Sequence, residues 1–306
     1  MELWNRYTAE LQTNGNMTES EFALKRAYFR LEPKFSDTIK GRFNFDMFSD
    51  DGAGDGAGLK LKYAYLTFSK FLLPFNKLTV GLQKNYFGTI YTYEYDVIEK
   101  DPSDLFGIAP SSDYGITMSG DYPMGFGDYQ LGIYNGEGYK ATGSAIDIYW
   151  NYLFNTHVII LPGVTIGGTL SYQDVDDSGV AKQLMKSAVI GNFVFNPIQV
   201  SLQYLHKYDE ASTTETEVTS GMLTLKLGAI DVLGRLDYES VSASGFGFLA
   251  DQYVLNTGIT YYVIKDAKDS PVVWAQLNYE APMTGSFKTT EHKIMAQLRW
   301  KFSSNI

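Results

Sequence analysis

The chain contains no cysteine in 306 residues. That excludes disulfides and thiolate metal sites, and it suits a protein exported through the periplasm without oxidative folding. Also missing is any run close to the roughly eighteen apolar residues of a spanning helix. Hydrophobic residues make up 44% of the chain but are dispersed, so a helical membrane protein is excluded. Helical periodicity sustained over three turns is absent as well. Positive charge is scarce: 25 Lys and Arg stand against 35 Asp and Glu, for a net charge of -10. Nucleic acid is thereby excluded as a partner, because phosphate binding needs a clustered positive surface. No export signal precedes Glu2-Leu3-Trp4-Asn5-Arg6, so an exported protein would be seen here in its mature form.

What is present is aromatic, glycine-rich and alternating, with 23 Tyr, 19 Phe and 29 Gly. The pattern is clearest in the last segment, His292 to Phe302. His292, Ile294, Ala296, Leu298, Trp300 and Phe302 share one face, and Lys293, Met295, Gln297, Arg299 and Lys301 share the other. Sixteen segments of this kind can be counted. In the first, Leu3, Tyr7, Ala9 and Leu11 oppose Arg6, Thr8 and Glu10. In the second, Phe22 to Phe35, Ala27, Phe29 and Leu31 oppose Arg26, Tyr28 and Arg30. In the third, Ile39 to Phe48, Phe43, Phe45 and Met47 oppose Arg42, Asn44 and Asp46. The eighth is read as Ser144 to Phe154 and the fourteenth as Gln252 to Val263. In Leu59 to Ser69 the parity of Lys60 and Lys62 conflicts with that of Leu66 and Phe68, which points to a bulge or to rim lysines.

If both termini lie on one rim, the odd connectors lie on the other. They include Thr13 to Glu21, Ser49 to Gly58, Gly88 to Ser112, Gly136 to Gly143, Asp174 to Lys182, Asp209 to Glu217 and Val241 to Asp251. The even ones include the tight turns Ser36-Asp37, Asn196-Pro197 and Ala229-Ile230, although Asn155 to Gly163 is long for that rim. Aromatics gather at segment ends, as at Phe35, Phe71, Phe75, Tyr122, Phe126, Phe154, Phe195, Trp300 and Phe302, in the manner of an interfacial girdle. Together these features predict an all-β fold: one domain, residues 1–306, forming a 16-stranded antiparallel transmembrane β-barrel of a Gram-negative outer membrane. Its surroundings would be the lipid bilayer with lipopolysaccharide, and its third external loop, 88–112, would fold inward. Two alternatives give the same alternation: a soluble β-rich sugar-binding or adhesive protein, and a barrel serving as an anchor or sheath for a partner.

A barrel of this size encloses water, so passive diffusion of small hydrophilic solutes and ions is the expected activity. Five of the six arginines, Arg6, Arg26, Arg30, Arg42 and Arg299, fall on the last strand and the first three, which become neighbours on closure. With Lys34, Lys40, Lys293 and Lys301 they form a basic strip on one inner wall. The third external connector carries Glu94, Asp96, Glu99, Asp101 and Asp104 against Lys100 alone, and would set carboxylates opposite that strip. The expected ion preference is slightly cationic or near neutral. Asp50, Asp51 and Asp55 in a glycine-rich loop are a weak calcium candidate, without EF-hand spacing. No catalytic residues or cofactor are expected, since His157, His206 and His292 have no nucleophile motif beside them and His157 reads as a turn residue.

Three stretches resemble the phosphate-selective porin O and P family: Leu24-Lys25-Arg26-Ala27-Tyr28-Phe29-Arg30-Leu31, Tyr63-Ala64-Tyr65-Leu66 with Leu78-Thr79-Val80-Gly81-Leu82-Gln83-Lys84, and Tyr129-Gln130-Leu131-Gly132-Ile133-Tyr134-Asn135-Gly136-Glu137-Gly138. The resemblance implies a sixteen-stranded homotrimeric channel with the third loop folded inward and a pore lined by arginines. Only Arg26, Arg30 and Arg42 answer to that lining, and the acidic third loop departs from it. The tail Ser303-Ser304-Asn305-Ile306 also departs from the aromatic ending usual in outer-membrane proteins.

Overall fold

A computed structural model of the chain describes residues 1–49, 56–88, 100–141, 143, 146–243, 247–265, 271–284, 288–289 and 291–302. The alternating segments become strands β1 (Glu2–Gln12), β2 (Met17–Leu31), β3 (Ile39–Phe48), β4 (Gly58–Ser69), β5 (Asn76–Lys84), β6 (Ser112–Asp121), β7 (Gly127–Tyr134) and β8 (Asn151–Leu161). They continue as β9 (Val164–Asp177), β10 (Val180–Phe195), β11 (Ile198–Asp209), β12 (Thr214–Leu227), β13 (Ile230–Ala243), β14 (Gly247–Lys265), β15 (Pro271–Thr284) and β16 (Glu291–Lys301). Each strand pairs with its sequence neighbours, and β16 returns to β1 to close the barrel. The seam is antiparallel and runs unbroken from Glu2↔Lys301 to Gln12↔Glu291. Among the described residues no strand keeps a free edge, which rules out the two-sheet sandwich.

Period-two strands put alternate side chains on opposite faces of this wall. On β11, Gln199, Ser201, Gln203 and Leu205 are buried, while Ile198, Leu202 and Tyr204 are exposed. The same division recurs around the barrel. Asn44, Asn155, Thr169, Ser220 and Thr260 are buried, and Leu66, Ile116, Leu170, Val189, Leu223 and Ile259 lie open on the outer surface. A soluble protein hides its large aliphatics and solvates its amides; here the arrangement is inverted.

Local chemistry sets the turns. Ser178 and Gly179 both have positive φ, the geometry of a two-residue hairpin turn whose twist matches that of the flanking strands. Pro162-Gly163, Asn196-Pro197 and Gly228-Ala229 turn the opposite rim equally tightly. The parity conflict at Lys62 is resolved by a bulge. The β3–β4 register shifts between Asn44 and Phe45, whose partners are Tyr63 and Leu61, so that Lys62 and Tyr63 both reach the interior.

Several expected boundaries are corrected. The eighth strand is Asn151–Leu161, not Ser144 to Phe154, and the apparent long turn Asn155 to Gly163 lies mostly within it. Asn155 and His157 resemble turn residues because polar side chains are favoured in turns. Inside a polar barrel they instead face the interior, where Thr169 Oγ1 donates to Asn155 Oδ1 at 2.7 Å and His157 Nδ1 pairs with Asp128 Oδ1 at 3.0 Å. Phe154 consequently lies within the strand and not at its end. The second strand begins at Met17 and ends at Leu31, and β9, β12, β13 and β14 extend through stretches read as loops. Long connectors on one rim thus characterise only the N-terminal half, at 49–57, 85–111 and 135–150.

Gly127 opens β7 at φ +143°, and a Cβ there would lie 1.9 Å from the His157 carbonyl oxygen. Gly127→Ala should therefore destabilise the barrel by roughly 1–3 kcal/mol. Gly234→Ala, where a Cβ meets nothing within 4 Å, should change stability by no more than about 0.5 kcal/mol. Urea midpoints of the refolded proteins check the contrast, and equal losses would contradict it.

Candidate functional site: a lumen with two charged walls

The five predicted arginines share one inner wall. Trp4 stands opposite Arg26 on β2 and opposite Arg299 on β16. Its ring lies 4.8 Å from the Arg26 guanidinium and 4.0 Å from that of Arg299, which also lies 4.6 Å from the Trp274 ring. Tyr28 continues the stack 5.0 Å beyond Arg26, and Arg42 lies 5.3 Å from Tyr63. Guanidinium edges meet acids: Arg26 with Asp46 at 3.4 Å, Arg42 with Glu32 at 3.5 Å and Arg299 with Glu2 at 3.1 Å. Arg6 Nε donates to Gln297 Oε1 at 2.9 Å. Arg30 has neither a carboxylate nor a ring partner among the described residues. Of the expected lysines, Lys293 pairs with Glu10 and lines the lumen, whereas Lys34 is exposed at the β2–β3 turn and pairs with Asp37.

Two chambers lie within the lumen. The larger, about 700 Å³, holds Arg30, Arg42, Lys77, Lys84, Arg299 and Lys301 against the carboxylates Glu2, Asp121 and Asp128. The smaller, about 320 Å³, holds Arg6, Lys25, Lys100, Arg235 and Lys293 against Glu19 and Glu280. The described lining is therefore electropositive in a chain whose net charge is -10.

The β5–β6 connector touches several inner walls. Gly88 donates from its backbone to Thr169 Oγ1 at 3.2 Å and accepts from Gln203 Nε2 at 2.5 Å. Lys62 donates to Ser111 Oγ, and Arg235 Nη1 donates to the Lys100 carbonyl at 2.8 Å. Phe87, Ile108 and Ala109 pack with Tyr134, Leu153, Ala188, Leu205 and Val218, an apolar patch on the inward face of β7 to β12. Within the connector, Asp101 is the N-cap of a short helix, α1 (Pro102–Leu105), accepting from the Ser103 and Asp104 backbone N–H groups. It holds the turn, and no ion pair joins it to an arginine among the described residues. Burial holds the Asp104 carboxyl above the ordinary carboxylate range and Asp101 pushes the same way, while Lys62, Lys100 and Arg26 pull it down. Asp104 is thus within the field of the basic wall. Glu94, Asp96 and Glu99 lie outside the described residues, as do Asp50, Asp51 and Asp55. Among the described residues no group of three or more acids and histidines could hold a metal ion.

Sequence reasoning missed the sixth arginine. Arg235 and Asp237 on β13 are 1% and 0% exposed at their side chains and pair at 2.9 Å. The available signal was opposite charges two residues apart on one strand face, which share a side of the wall.

No family model matches the chain, and no curated protein matches it. Solved structures do. OmpF of Salmonella typhi, in complex with daunomycin, superposes with TM-score 0.71 at 10% identity, covering 98% of this chain and 96% of that one. The outer membrane channel DcaP of Acinetobacter baumannii gives 0.67 at 11% identity, with 98% and 96% covered. The trimer form of OmpT, an outer membrane protein of Vibrio cholerae, gives 0.65 at 13%, with 98% of each chain covered. At such identities the shared property is the fold, and the resemblance to phosphate-selective porins is carried no further than that.

Removing one partner of a buried pair strands the other charge, whereas removing both does not. Arg235→Met should therefore cost about 3–5 kcal/mol, and Arg235→Met with Asp237→Leu should recover most of that loss. A double-mutant cycle from urea unfolding measures the coupling, and additive losses would show that the pair is not linked.

Proposed function

We propose that the chain is a bacterial outer-membrane channel for passive diffusion of small hydrophilic solutes and ions. The observation that carries this reading is the inverted barrel: amides, hydroxyls and charges inside, large aliphatics outside. Only a closed barrel satisfies all backbone groups of a sheet within hydrocarbon, and only a hydrocarbon setting favours that exterior. Likeness in fold to OmpF and to the channel DcaP supports it. The trimer form of the Vibrio protein supports a homotrimer.

The β5–β6 connector is proposed as the constriction, with Asp104 facing the wall that holds Arg26, Arg30 and Arg42. Its hydrogen bonds to β9, β11 and β13 and its apolar seat support that position. Among the described residues, the excess of cations along both chambers favours anions over the expected cationic or neutral preference. Phosphate as such is not singled out by this lining, since most of its arginines already hold carboxylates.

Planar-bilayer recording tests the reading. Stepwise, salt-dependent conductance is expected, and a membrane-inserted barrel with no conductance would point to an anchor or sheath. A KCl gradient should give a reversal potential favouring chloride. Because burial raises the Asp104 pKa, its negative charge is lost earlier than an ordinary carboxylate's as pH falls, so chloride preference should rise on acidification before ordinary carboxylates titrate. A unit charge about 10 Å from an ion in water is worth about 0.4 kcal/mol, so the effect is roughly twofold. Asp104→Asn should show the higher chloride preference already at neutral pH, with a flatter pH dependence. A variant identical to the parent would remove Asp104 from the ion path.

A further inference from the structure

The larger chamber has features that bulk diffusion does not require. Arg30 on β2 stands opposite Asn44 on β3, and Asn44 stands opposite Tyr63 on β4. The Asn44 side chain is 0% exposed, yet neither its Nδ2 nor its Oδ1 has a hydrogen-bond partner among the described residues, and it lines the chamber. An unsatisfied buried amide is costly and is a natural place for a ligand atom. Among the described residues, Arg30 beside it lacks the carboxylate and the stacked ring that Arg26, Arg42 and Arg299 possess.

Next to this pair, Tyr63 and Tyr65 meet edge to face, with centroids 6.3 Å apart at 72°, and both line the chamber with Tyr86 and Trp274. Two rings at that angle form a corner into which a third flat ring can pack on one face and one edge. The chamber volume of about 700 Å³ is that of a small-molecule site. We propose that this chamber binds planar aromatic monoanions, with the carboxylate between Arg30 and the Asn44 amide and the ring in the Tyr63–Tyr65 corner. The inference rests on the channel reading and deepens it, giving the pore a preferred class of cargo.

The test separates binding from passage. Purified barrel in detergent is titrated calorimetrically with benzoate, cyclohexanecarboxylate and benzylamine, alongside KCl conductance in bilayers. Benzoate should bind saturably, about fivefold or more tighter than cyclohexanecarboxylate, because the saturated ring has no π-face to stack. Benzylamine should not bind. Arg30→Gln should weaken benzoate about tenfold, and Tyr65→Leu should bring the benzoate-to-cyclohexanecarboxylate ratio close to one. Equal affinity of the two acids for the parent protein overturns the proposal and needs no variant. Conductance with no benzoate preference leaves the channel and removes the site. Benzoate preference without conductance upholds the site and removes the channel.

Discussion

Closure is the constraint from which the rest follows. A sheet of this length with open ends would present two rows of unpaired backbone groups, and β1 pairing with β16 removes both. The seam is tied again at the chain ends, where the Phe302 backbone donates to Met1 and the Met1 amine donates back to the Phe302 carbonyl. Closing the ring also builds the basic wall. Trp4 lies on the first strand, and Arg299 and Trp274 on the last two. Only the β1–β16 register brings them into one stack with Arg26 and Tyr28.

That stack explains how so many guanidinium groups tolerate one inner surface. Arginine is planar and weakly hydrated, so its faces lose little when covered by rings, and each such contact contributes about 0.5–2 kcal/mol. The edges, where the N–H groups point, go to Asp46, Glu32 and Glu2. Faces and edges thus meet different chemistry. Arg235 follows the other route: almost fully buried, it gives one edge to Asp237 and another to the Lys100 carbonyl. The first arrangement lines a wet wall, and the second ties a connector to a strand.

Much of this was legible from residue order. The alternation His292 to Phe302 matches β16, and the parity of β1 to β3 places Arg6, Arg26, Arg30 and Arg42 on the inner face, because a period of two admits no intermediate orientation. Strand ends were less legible, for a physical reason. Asp, Thr, Ser and Asn mark turns in soluble proteins because they solvate the chain where it leaves a core. A barrel with a polar interior uses the same residues within strands, as at Asn155 and Thr156 on β8 and at Thr214 and Thr216 on β12. Contacts such as Gly88 with Gln203, or Arg235 with Lys100, join residues more than a hundred positions apart and leave no periodic trace.

The two halves of the barrel divide the labour. From β8 onward the strands are long and most of the turns described are tight, and this half supplies the inward patch of Leu153, Ala188, Leu205 and Val218. Buried aliphatics on the inner face of a water-filled barrel would be a liability unless something covered them, and Phe87, Ile108 and Ala109 from the β5–β6 connector do so. The apolar seat and the polar ties at Gly88 and Lys100 therefore belong to one device, which fixes the connector to the C-terminal half. The opposing wall, with its guanidinium stack and Arg30, belongs to β1–β4 and β15–β16. The connector also takes one bond from the other side, Lys62 of β4 to Ser111, but its apolar seat lies against the C-terminal half, so on the proposed channel reading solute would meet chiefly the wall where the chain closes on itself.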